Sequence, residues 1–111
     1  MNSMFSGCIL LESLNLFNFN VIKVKDMANM FSGCSSLTSI NLSSFSTNNL
    51  ENMNSMFAQC ISIEFIILSN FNTLKVKDMA KIFEGCRALK SINLSNFVTS
   101  TTENMNSMFS Q

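Results

Sequence analysis

The sequence predicts an α/β repeat solenoid, because one phrase returns every 26 residues and the hydrophobic period changes once within each return. The recurring residues are Phe5, Phe31, Phe57, Phe83 and Phe109, with Cys8, Cys34, Cys60 and Cys86. A unit this short cannot bury its own apolar face, so successive units must stack as coils around a shared core. We expect one right-handed solenoid over residues 1–111, with repeats 1–26, 27–52, 53–78 and 79–104 and a partial repeat 105–111.

The first part of each repeat has the apolar spacing of a short helix. Around the start of the second repeat the spaced residues are Val24, Met27, Met30, Phe31 and Cys34. This spacing places them on one face of a helix, with Asp26 before the first Met as a cap and Gly33 as the stop. At the position of that Gly the third repeat has Gln59, which costs about 1 kcal/mol if the left-handed conformation is kept. We expect helices of about two to three turns.

The middle of each repeat alternates aliphatic and polar residues, as a β-strand does. In the second repeat the alternating residues are Leu37, Ser39, Ile40, Asn41 and Leu42. Alternation points the aliphatic side chains inward and Ser and Asn outward. Successive strands should pair in parallel. Because helices are wider than strands, we expect short strands on the concave face and short helices on the convex face.

Composition argues against catalysis and nucleic-acid binding. Seven basic and seven acidic residues give a formal charge of zero, and His is absent. Phosphate binding needs clustered positive charge, and His is the commonest general base. The apolar runs are also far shorter than the roughly 20 residues that span a bilayer. We therefore expect no enzyme, no cofactor, no nucleic-acid partner and no membrane insertion by this segment.

The Cys residues and the acidic residues are the first candidates for a site. Zinc ligands come from close Cys pairs, whereas these Cys form a ladder with one residue per coil, so we expect no metal site. Disulfides between neighbouring coils fit the distance but not the usual dihedral, which favours four buried free thiols. Glu12 and Glu64 share one repeat position, as do Glu51 and Glu103, two coils apart, and we interpret them as solvated surface.

The candidate partner-binding residues are Phe17, Phe65 and Ile67, which depart from the polar pattern of the strand face. Phe65 and Ile67 stand where other repeats have Ser and Asn, and Phe17 stands where they have Ser. Exposed aromatic residues on a polar face are plausible contacts for a protein ligand. Two other interpretations are open, namely drift in one repeat or a shifted register that buries these side chains.

The full phrase M-x-x-M-F-x-G-C-x-x-L-x-S-I-N-L-S-N-F-x-T, best seen at Met27 to Thr47 and Met79 to Thr99, resembles the BspA-like leucine-rich repeat surface proteins. The resemblance covers essentially the whole chain. It implies a leucine-rich-repeat-like coil that displays itself at the cell surface and serves adhesion or protein binding. No catalytic residue carries over from it.

Two functions follow as hypotheses. The first is a non-enzymatic adhesion module that binds an unidentified protein ligand through its concave strand face. The second is a structural spacer in a larger surface protein, with no dedicated ligand. Because neither end has the polar cap of a complete solenoid, we also expect a piece of a longer array whose partners include neighbouring repeats. Its localisation rests on the resemblance alone.

Overall fold

The computed structural model describes all 111 residues, and they form stacked coils that pair in parallel. We call residues 1–26, 27–52, 53–78 and 79–104 coils 1 to 4. Just before the first Met of a coil, Asp26 pairs with Asn52, Asn52 with Asp78, and Asp78 with Asn104. Each pair joins residues 26 positions apart, so the sequence period is also the period of the fold. The predicted repeat solenoid is confirmed.

The strands are short and lie in the two middle coils. Strand β1 is Ser39–Asn41 and strand β2 is Phe65–Ile67, and they are parallel, with Ile40 opposite Ile66. A single bridge joins Phe65 to Ser91 in coil 4. Ile40 and Ile66 are buried, whereas the residues on either side of each are exposed. Parallel pairing and the alternation of inward and outward side chains are as the sequence predicts in coils 2 and 3. The strand predicted in every coil is absent from coil 1, however, and is reduced to that one bridge in coil 4.

The predicted helices are wrong: the chain has no α-helix, and a ribbon of consecutive turns takes their place. Alternate N–H groups of this ribbon donate to carbonyls of the next coil, Met27 to Asn52 at 3.0 Å, for example, and Gly33 to Ala58 at 2.8 Å. The N–H groups between them donate three residues back within the coil, as Met30 does to Met27 at 3.2 Å. In an α-helix every interior N–H donates four residues back, so none is free to join the coils.

Left-handed residues make this alternation possible. Asn29 has a φ of 55° and Gly33 a φ of 75°, and the third coil repeats both conformations at Ser55 and Gln59, with φ of 54° and 60°. An α-helix requires a negative φ at every residue, so two left-handed residues four positions apart exclude it. Asp26 still accepts a local bond, from the Ala28 N–H to Oδ1 at 2.9 Å, but as a turn rather than a helix cap.

In coils 2 to 4 the turn ribbon nevertheless buries the predicted apolar residues, whereas Met4 and Phe109 at the two ends of the stack are 47% and 51% exposed. Rings of equivalent Phe stack from coil to coil, with centroids 5.3 Å apart for Phe31 and Phe57 and 6.0 Å apart for Phe57 and Phe83. A second stack joins Phe45 to Phe71 at 6.3 Å. Apolar spacing by three and four residues therefore predicted which side chains are buried in these coils. It predicted the wrong backbone conformation, a helix in place of consecutive turns.

Three of the Cys side chains belong to this core. Cys34, Cys60 and Cys86 are buried free thiols, and each donates to the carbonyl of a Phe one coil back at 3.1 Å. Burial raises the pKa of Cys86 to about 11, and it raises the pKa of Cys60 further, helped by the neighbouring Cys86 and Cys34. Cys8 is exposed, so the prediction of four buried thiols is wrong there, because in coil 1 the thiol has no earlier coil against it.

We expect Gln59→Gly to raise the free energy of unfolding by about 1 kcal/mol, because it relieves a left-handed conformation that disfavours a Cβ. The matched control is Gly33→Ala, at the equivalent position of coil 2. Its new Cβ would lie 3.6 Å from the nearest atom, so only the φ of 75° opposes it, and stability should fall by a similar amount. Urea unfolding of both variants measures the two changes. Equal stability of Gln59→Gly and the native chain would contradict a strained, left-handed conformation at Gln59.

We expect one thiol per chain to react with a thiol reagent at pH 8 in the folded protein, and four after unfolding in denaturant. Burial blocks access to Cys34, Cys60 and Cys86, and their raised pKa values keep them protonated, whereas the thiolate is the reactive form. In the control Cys8→Ser, no thiol should react before unfolding. Rapid reaction of more than one thiol in the folded native chain would contradict this packing.

Candidate functional site: an exposed apolar patch on the strand face

Phe65 and Ile67 lie on the outer face of β2. We call these two exposed apolar side chains the strand-face patch. Phe65 is 48% exposed and Ile67 is 46% exposed, while Ile66 between them is 6% exposed. Their strand register places Phe65 opposite Ser39 and Ile67 opposite Asn41. This is the unshifted register of the repeat, so the alternative in which a slip buries both side chains is excluded.

An ion pair lies against the ring of Phe65. The Lys90 Nζ is 5.5 Å from the ring centroid and 2.6 Å from Oε2 of Glu64. The two charged residues occupy the same position of neighbouring coils, and the Lys90 N–H donates to the Glu64 carbonyl at 3.2 Å. A cation over an exposed ring contributes about 0.5–1 kcal/mol, so Lys90 steadies the ring without burying it.

Ile67 of the patch lines a small depression of about 170 Å³. Its lining residues are Ile66, Ile67, Leu68, Ser69, Asn93 and Asn96. Asn93 holds its own turn by accepting the Ser95 N–H at 2.9 Å, and Asn96 donates to the Ser69 carbonyl. The amide groups at the rim are therefore fixed in place by backbone contacts, beside an apolar centre formed by Ile67.

Phe17, the third predicted contact residue, lies apart from this patch. Its side chain is 76% exposed and lines a depression of about 360 Å³ in coils 1 and 2. The other lining residues are Leu14, Asn15, Leu16, Asn41, Ser43 and Ser44, and none of them lines the depression beside Ile67. The structure thus brings Phe65 and Ile67 together and leaves Phe17 as a separate exposed ring.

The patch offers an apolar surface with a charged and an amide rim, which suits binding of a protein side chain or main chain. No group of three or more Cys, Asp or Glu side chains is arranged to hold a metal ion. The structure contains no helix with the length and apolarity of a membrane span. The carboxylate of Glu64, which precedes Phe65 in the chain, is paired with Lys90.

Sequence analysis missed the ion pairs between neighbouring coils. Lys25 pairs with Glu51 at 3.0 Å, and Lys77 pairs with Glu103 at 3.9 Å. The signal was present, since each pair is 26 residues apart and therefore shares a repeat position. Opposite charges at one repeat position of adjacent coils are the pattern that predicts such pairs.

A solved structure supports the fold. The chain is similar to a leucine-rich repeat protein from Eubacterium ventriosum, with a TM-score of 0.50 and 22% sequence identity. The similarity covers 79% of this chain and 22% of that one, so the chain spans about a fifth of the length of the protein it matches. No curated protein sequence matches the chain significantly.

A family model extends over the whole chain. The family is described as "Mycoplasma protein of unknown function, DUF285", and its model matches residues 1–111. Together with the leucine-rich repeat structure, this match confirms the resemblance to the BspA-like leucine-rich repeat proteins. The chain belongs to this Mycoplasma family and is a leucine-rich-repeat-like module.

Proposed function

We propose that this chain is a non-enzymatic protein-interaction module and that it binds a protein ligand through the strand face. The observation that carries the proposal is the exposure of Phe65 and Ile67 where the other coils have Ser and Asn. A single exposed apolar residue is ordinary, but two on the same face of one strand form a larger apolar patch, which supports a binding role.

The physical features of the patch support this function. Its apolar side chains are about half exposed, so a partner that completes their burial gains about 1–3 kcal/mol from the two together. Aromatic side chains are also enriched among the residues that carry most of the energy of an interface. Lys90, Glu64 and the amides of Asn93 and Asn96 supply the polar rim that interfaces place around such a centre.

Adhesion and display at a cell surface are part of the same proposal, and they rest on the resemblance to the BspA-like surface proteins. A coil that presents one modified face on a rigid stack suits this role, because the core fixes the orientation of the face. Binding of a ligand does not depend on where the protein is located, so the contact can be tested on the purified chain.

We expect peptides selected from a displayed random library on the native chain to lose at least about tenfold in affinity for the double variant Phe65→Ser and Ile67→Asn. These substitutions restore the residues that coil 2 has at Ser39 and Asn41, so the fold should tolerate them. The matched control is Phe17→Ser, which removes an exposed ring from a separate depression. Binding to the control should be unchanged, as measured by titration calorimetry.

Equal binding of the selected peptides to the native chain and the double variant would refute the patch as the binding site. Failure to enrich any peptide on the native chain would favour the structural spacer, in which no face of the coil has a ligand. Circular dichroism of all variants ensures that the comparison is made between folded proteins.

A further inference from the structure

A row of alternating charges crosses the four coils at a repeat position outside the strands, and the depression beside it shares no lining residue with the depression beside Ile67. The row, which we call the charge row, consists of Lys25, Glu51, Lys77 and Glu103, one residue from each coil. The N–H of each later member donates to the carbonyl of the member before it at 2.8 Å. Because these bonds repeat without a shift, the row is straight, and its members are about 4.8 Å apart at the backbone.

The charged groups of the row are open to solvent. The side chains of Lys25, Glu51, Lys77 and Glu103 are 70%, 45%, 67% and 73% exposed. Ion pairs join Lys25 to Glu51 and Lys77 to Glu103 within the chain, but exposed pairs of this kind contribute little to stability. All four paired side chains remain at least 45% exposed, so the row presents a pattern of positive, negative, positive and negative charge.

Exposed apolar side chains lie three residues before the charge row. Ile22 is 48% exposed and Leu74 is 52% exposed, whereas the intervening coil has Asn48 at this position. Leu74 and Lys77 line a depression of about 350 Å³, together with Glu51, Lys75 and Thr101. An apolar residue bordered by charges of both signs is the composition of a protein contact surface rather than of an anion or cation site.

We propose that this face binds a second copy of the chain in an antiparallel, two-fold arrangement. Reversing the order of the coils places Lys25 opposite Glu103 of the second copy and Glu51 opposite Lys77 of the second copy. Every member of the charge row then faces the opposite charge. An in-register parallel arrangement places each charge opposite itself, and a parallel arrangement shifted by one coil leaves two charges unpaired. The two-fold antiparallel arrangement pairs all of them, so the pattern favours this direction.

The alternation also explains why a second copy is the partner. A partner surface of uniform charge would be attracted by two members of the row and repelled by the other two. A surface with a different spacing between its charges would also fail to pair with all four members. Only a row with matching spacing and reversed order satisfies all positions at once. In this arrangement the two copies of Leu74 lie in the central coils, close to the two-fold axis, and shield each other from water.

The test uses a variant in which all charges of the row are exchanged: Lys25→Glu, Glu51→Lys, Lys77→Glu and Glu103→Lys. In the exchanged variant, opposite charges still stand at positions 25 and 51 and at positions 77 and 103. Two copies of the variant can therefore pair in the same antiparallel way. In a mixed pair with the native chain, however, every charge of the row faces its like. We expect both proteins to self-associate, and the mixed pair to be at least about tenfold weaker, by sedimentation velocity and by fluorescence transfer between labelled chains.

A second measurement uses the variant Lys77→Glu alone, which places like charges together at the centre and should weaken self-association. Raising the salt from about 0.1 M to about 1 M should weaken it as well, because the screening length falls from about 10 Å to about 3 Å. A native chain that stays monomeric up to about 1 mM would overturn the proposal. So would a mixed pair as tight as either self-pair, since association would then use another surface.

This inference is independent of the proposed ligand site. The double variant Phe65→Ser and Ile67→Asn leaves the charge row intact and should self-associate as the native chain does. Loss of self-association in that variant would place the contact on the strand face and would overturn the antiparallel arrangement.

Discussion

The hydrogen bonds between the turn ribbons of adjacent coils are the constraint on which the rest of the structure depends. Of the 52 backbone hydrogen bonds, 50 lie outside the two strands, so turns and coil-to-coil contacts hold the backbone together. Alternate N–H groups in the ribbon donate forward to the next coil and the others donate backward within their own coil. This division satisfies buried backbone donors without helices and with very little sheet.

Because those bonds fix the register at 26 residues, equivalent side chains are stacked directly on one another. The stacked Phe rings, with interplanar angles of 7° in the middle of the array, follow from that register. So do the thiols of Cys60 and Cys86, each of which reaches a carbonyl one coil back. A change at a core position therefore disturbs both neighbouring coils, which is why the chemistry of the core hardly varies between repeats.

The same register makes variation on the outside informative. A residue that departs from its repeat is held in line with unchanged neighbours, so Phe65 stands between Ser39 and Ser91 on an exposed face. Opposite charges at one repeat position become ion pairs, as Lys90 and Glu64 do beside that ring. The two proposed contact faces, for a protein ligand and for a second copy, both arise where the coils differ while the backbone does not.

The sequence by itself determined the repeat, the parallel stacking and the burial of residues such as Met27, Phe31 and Cys34. It also marked Phe65 and Ile67 as departures from the polar strand face, but a shifted register that buries them stayed open until the pairing of Ile40 with Ile66 in the structure excluded it. Tertiary structure alone decided the backbone of the first third of each coil and the contact of Lys90 with Phe65. Apolar spacing indicates which side chains pack in the core. The same spacing is compatible with N–H groups that donate four residues back, as in a helix, and with N–H groups that donate to the next coil. That choice is made between coils, once Asn29 and Gly33 adopt left-handed conformations that a helix cannot contain.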